Sequence, residues 1–142
     1  IMRYRSKISG PLLDRFDLHV EVPVQSGNVL MQQGGDGESS ARVRERVASA
    51  RRRQAERGSA NSALSGRDLH AACRLDRQGE ELLSGAMEKL GLSARALHRI
   101  LRVARTLADL EGCEELRQSQ LVEALGSRQL DRQKGRNSAV SA

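Results

Sequence analysis

The sequence predicts a mainly α-helical protein, a helical bundle preceded by one short strand. Three observations predict it. The apolar supply is Leu, Ala and Val, with one Tyr, one Phe and no Trp in 142 residues. Such side chains suit helices packing on helices. From residue 40 onward, apolar positions recur at helical spacings of three and four. Caps then punctuate those runs: Asp76 and Ser93 stand at helix starts, and Gly91 and Gly112 just past helix ends.

Residues 1–23 read as a short helix, a turn and a strand. Ser9-Gly10-Pro11 breaks the chain, and Pro11 suits the first position of a helical turn. Asp17 to Val22 alternates, with Leu18, Val20 and Val22 on one side, and Pro23 stops it. A lone strand cannot satisfy its ladder, so this stretch is expected to belong to a sheet whose other strands lie elsewhere. The first residue is Ile1, which suggests a piece of a longer protein. Residues 24–39 are rich in Gly, Gln and Ser and read as a flexible loop.

Residues 40–126 form the expected helical domain. In a helix over 40–57, Val43, Val47 and Ala50 make a thin apolar stripe, and Arg42, Arg44, Arg46, Arg51, Arg52, Arg53 and Arg57 cover the rest. Residues 58–66 are a small-residue linker. A short helix over 67–73 follows. The next runs over 76–90 with Leu82, Leu83, Ala86, Met87 and Leu90 on one face. The clearest starts after Ser93 and runs to about Leu110, burying Leu97, Ile100, Leu101, Ala104, Leu107 and Ala108. Arg95, Arg99, Arg102 and Arg105 line its other side, and the last three are expected on a wet or interface face. A final helix spans 118–125, with Leu121, Val122 and Leu125 apolar. Residues 127–142 are polar and small and read as a disordered tail.

Composition excludes several functions. An RRM-like sheet or OB-fold stacks bases on several aromatic rings, which this chain lacks. No apolar run approaches ~18 residues, so no membrane partner is expected. There is no secretory pattern, and Cys73 and Cys113 make no disulfide framework; a reducing cytoplasmic location is expected. His70 and Cys73 share a helix spacing but lack a second ligand pair, so no metal site is expected. The 24 basic residues against 18 acidic give a net charge of +6, nearly all from Arg. Guanidinium forks suit phosphate, so DNA or a nucleotide is a candidate partner. The helix 40–57 concentrates them, and Arg44, Arg51, Arg52 and Arg53 are the nucleic-acid candidates. The competing reading of the same charge run, ranked ahead of DNA, is a subunit interface or a solvated connector.

Tyr4 to Pro23 reads YRSKISGPLLDRFDLHVEVP, and Leu92 to Gly112 reads LSARALHRILRVARTLADLEG. The first resembles the stretch before the last strand of the AAA+ ATPase core in the Mg-chelatase/MCM clade. The second resembles that clade's lid helix. Together with VRERVASARRRQAERGSANSAL, the wording is most similar to ComM/YifB-type Mg-chelatase-like proteins. The resemblance covers about residues 4–125. It implies that 1–23 end an AAA+ core and that 40–126 are its lid, of Mg-chelatase C-terminal type. It implies that Arg15 is an arginine finger acting in trans and that Arg95 is the sensor-2 arginine facing the γ-phosphate of ATP. Read from the residues alone, Arg15 can equally pair with Asp14 or Asp17, and Arg95 can be a solvated cation. An Arg in a helix's first turn opposes the dipole, which an anionic partner would correct.

The same resemblance implies a parent that needs ATP and Mg²⁺ and assembles a homo-oligomeric ring, expected as a hexamer. Its implied work is DNA branch migration or helicase-type motion in natural transformation. The alternatives are a magnesium chelatase ATPase subunit, or an isolated basic module for DNA binding or oligomerisation. No GxxxxGK[ST] loop and no apolar run ending in paired acids occurs here. This stretch is therefore not expected to hydrolyse ATP alone or to bind a nucleotide tightly.

Overall fold

The computed structural model describes residues 15–20, 22–24 and 37–127. Among these, five α-helices follow one another: α1 Ser40–Glu56, α2 Gly66–Ala72, α3 Arg77–Leu90, α4 Ala94–Glu111 and α5 Gln118–Gly126, with a 3₁₀ turn at Asn61–Ala63 between α1 and α2. The chain is mainly helical as expected, and these helices match the expected ones to within a residue or two at each end. No strand forms among the described residues of 17–22; Val20 and Val22 are 79% and 80% exposed. A period-two apolar pattern without a partner strand has nothing to bury against. The expected helix before residue 15 and the tail from 128 onward lie outside the described residues, as does the loop over 25–36.

α4 is the central helix: α1, α2, α5 and the 3₁₀ turn pack on it, and α3 packs on α5. The reason is its apolar face. Ile100, Leu101, Ala104 and Ala108 are at most 2% exposed, and Leu64, Leu69, Cys73, Leu83, Leu116, Leu121, Ala124 and Leu125 close around them. Ala104, Ala108 and Ala124 let helices approach closely, so a core without aromatic rings still fills. Gly79 does the same on α3, where a Cβ would lie 3.2 Å from Leu121 Cδ1.

The ends are built by the expected caps. Ser93 Oγ accepts the Ala96 amide at 3.1 Å and Asp76 Oδ1 accepts the Gly79 amide at 2.7 Å. Gly91 and Gly112 close α3 and α4 with φ of 60° and 77°. α1 departs from expectation. Only Ala50 and Gln54 are buried on it, while Val43 and Val47 are 37% and 44% exposed. The four share one face, but only the C-terminal half of α1 reaches the bundle. On α5, Val122 is 53% exposed and Gln120 is fully buried instead. Val122 sits about 100° around the helix from Leu121, off the face that Leu121, Ala124 and Leu125 define. No described helix is long and apolar enough to cross a membrane.

Candidate functional site

The first turns of α4 gather one exposed and three partly buried basic side chains beside a concavity. Ala94, Arg95, His98, Arg99 and Arg102 line an open hollow of about 390 Å³. They fall on one side because about 100° per residue brings 95, 98, 99 and 102 round to the face opposite Ile100. Arg95 is exposed, in the first helical turn. Arg102 is half-buried and its Nε donates to the Leu64 carbonyl at 2.9 Å, which fixes its stem. Arg99 is 16% exposed; its Nη1 is shielded from solvent without a hydrogen bond, and lies 3.5 Å from Asp17 Oδ1. The His98 ring meets His70 of α2 edge-on at 6.1 Å. Guanidinium and imidazole donors gathered at one helix start suit an oxyanion such as phosphate.

Arg15 is exposed in a turn. Of its two sequence-adjacent acids, Asp17 pairs with Arg99 instead. The segment is tied to the bundle a second time by the His19 amide, which donates to the Ser127 carbonyl at 2.7 Å.

The four nucleic-acid candidates on α1 do not stay together. Arg44, Arg51 and Arg52 are exposed. Arg53 lies about 180° from Arg44 around the helix. It is half-buried at the C-terminal end of α4, its guanidinium against Gly112 and its Nε shielded with no hydrogen bond. A cation there complements the α4 dipole. Arg46 makes a two-pronged pair with Glu38 at 2.9 Å on both arms.

The polar side of α4 changes character along its length, which corrects the expected wet face at Arg99, Arg102 and Arg105. Arg105 is 2% exposed. It donates to the carbonyls of Cys113 and Glu114 at 2.6 Å and Ala72 at 3.3 Å, and pairs with Asp109 at 3.1 Å. Asp109, 1% exposed, also accepts from Arg57 through both oxygens and from Asn61 Nδ2 at 2.8 Å. Burial works against the Asp109 charge, but the Arg57 and Asn61 hydrogen bonds and the Arg105 charge outweigh it and hold the carboxyl below its ordinary value. The i, i+4 spacing of Arg105 and Asp109 was a visible signal of this pair. Nothing local announced that Arg57 and Asn61 would fold over it. Burial, only partly offset by nearby Arg105 and Arg57, pushes the Cys73 thiol up to about 11.

Residues 37–128 match the family described as magnesium chelatase, subunit ChlI C-terminal, and residues 1–30 match magnesium chelatase, subunit ChlI. The chain is 47% identical over 133 residues to the competence protein ComM of Haemophilus influenzae, covering 93% of this chain and 26% of that protein. It is 42% identical over 132 residues to protein YifB of Salmonella typhimurium and 40% identical over 132 residues to YifB of Escherichia coli. Each alignment covers 92% of this chain and 26% of the relative. The chain spans about a quarter of the length of these relatives.

Proposed function

Since this chain belongs to the magnesium chelatase subunit ChlI C-terminal family and is ComM-like, we propose that it is the lid end of an AAA+ ATPase and lends two arginines to ATP sites shared between subunits. The observation that carries the reading is Arg95: an exposed guanidinium in the first turn of an 18-residue helix, beside a hollow lined by His98, Arg99 and Arg102. That donor set fits a polyphosphate and not a bare divalent cation. ATP, when bound with Mg²⁺, supplies the phosphoanhydride to be broken. Charge then builds on the γ-phosphoryl oxygens, and hydrogen-bond donors already in place stabilise it. Arg95 serves as the sensor-2 cation, with the dipole of α4 adding to its field. Arg15, exposed in a turn, is the finger offered in trans to the next subunit of a homo-oligomeric ring, a hexamer by the same reading.

The output we propose is motion on DNA, branch migration or helicase-type work in natural transformation. Its support is the family relation to a competence protein and the exposed Arg44, Arg51 and Arg52 of α1. The test is turnover of the full-length protein with and without branched DNA. Arg15→Ala is expected to lower kcat by 10³-fold or more, on the order seen for fingers supplied in trans, with nucleotide binding retained. Arg95→Ala is expected to lower kcat and weaken nucleotide binding. Normal turnover in Arg15→Ala sinks the finger role, and absence of DNA stimulation shifts the output toward remodelling of a chelatase partner.

A further inference from the structure

The segment bearing Arg15 touches the helical domain at two separated points. Asp17 reaches Arg99 in the second turn of α4, and the His19 amide reaches Ser127 just past α5. The two sides of the ion pair are unlike. Arg99 is held by the domain at 16% exposure, whereas Asp17 is 64% exposed and comes to it from outside. The shielded Arg99 Nη1 has no hydrogen bond, so the Asp17 carboxylate supplies its counter-charge among the described residues. Arg95 lies one helical turn before Arg99. Arg15 lies two residues before Asp17, a reach of at most about 7 Å of extended chain. The pair therefore stands between the two arginines assigned to phosphate.

We propose that Asp17 and Arg99 are positioning residues that strap the Arg15 segment to α4, so that displacement of the lid when Arg95 engages phosphate is carried to Arg15. This rests on the reading of Arg15 and Arg95 above. A packed helix moves as a unit, and two ties at separate points oppose pivoting of the segment about either one. The strap links the nucleotide that Arg95 faces to the neighbouring site that Arg15 enters.

The experiment compares Asp17→Asn and Asp17→Glu in the full-length protein, following ATP hydrolysis and amide hydrogen exchange over residues 17–20. Asp17 is exposed, so neither change disturbs the core. The neutral variant is expected to lose about two- to fivefold in kcat, the scale of a partly exposed ion pair. The KM for ATP stays within about twofold on the same ground, and exchange at His19 accelerates. The Glu variant restores most of both. Unchanged kcat and exchange overturn the strap, as does a Glu variant no better than the Asn variant. Arg15→Ala separates the levels. If it slows turnover while Asp17→Asn does not, the strap alone fails. If Arg15→Ala has no effect, the finger role and the strap fall together.

Discussion

Asp109 is held by two guanidiniums and an amide inside a domain with few other buried charges. Arg105, 2% exposed, relies on it, and Arg57 reaches it from the end of α1. Removing one partner of such a group strands the others. Asp109→Ala is expected to cost about 3–5 kcal/mol in urea unfolding. The pH dependence has a definite sign. The folded carboxyl sits below its ordinary value, so its contribution is present above the ordinary carboxylate range and lost as pH falls through the folded value. Acid titration of Asp109→Asn should lack that component. Cys73 behaves oppositely. Its folded value of about 11 exceeds the ordinary 9.0, so the stability tied to its protonated form is present below pH 9 and lost as pH rises toward 11. Cys73 should therefore alkylate far more slowly than Cys113 at pH 8, as read by mass spectrometry of labelled peptides; equal rates would contradict its burial.

Among the elements, α4 does most of the organising, and its stop matters as much as its start. Gly112 has φ 77°, and a Cβ there would stand 3.4 Å from Arg53 Nη2. Gly112→Ala is expected to cost about 1–2 kcal/mol from the backbone alone. Gly91→Ala meets the same backbone penalty with nothing within 4 Å, so the difference between the two reports the Arg53 contact. α1, by contrast, is a helix of two halves. Its sequence is uniformly Arg-rich, yet Arg57 and Arg53 are taken up by contacts with the α4 end while Arg44, Arg51 and Arg52 remain exposed.

At the scale of the whole molecule, that division predicts how DNA would be bound. If the exposed arginines contact phosphates, Arg44→Ala with Arg51→Ala should lower the salt dependence of binding by about two phosphates' worth, a slope change near 1.8. Arg53→Ala should leave the slope alone. An unchanged slope in the double variant, measured by anisotropy across a salt series, assigns α1 to a protein interface instead. The helical domain was legible in advance because periodicity and caps are local: Asp76, Ser93, Gly91 and Gly112 each act within a few residues of themselves. The strand over 17–22 was legible only as a pattern, since a strand is completed by partners that its own residues do not provide. Burial of Gln120 was hidden because, while its oxygen accepts from the local N-cap amide of Arg117, its NH₂ finds Glu111 nine residues away in another helix.

The polar line of α4 shows where the division falls. Spacing alone determined that Arg95, His98, Arg102, Arg105 and Asp109 share one side of the helix, since residues three and four apart stack. Only the tertiary structure decided their fates. Arg57 at the end of α1 and Asn61 close over Asp109, and the Ala72, Cys113 and Glu114 carbonyls close over Arg105, which makes the pair a buried polar joint. The first turns of α4 stay open, leaving Arg95 beside a hollow. Helical phase is a property of the chain, but which stretch of a face is covered depends on where distant segments land.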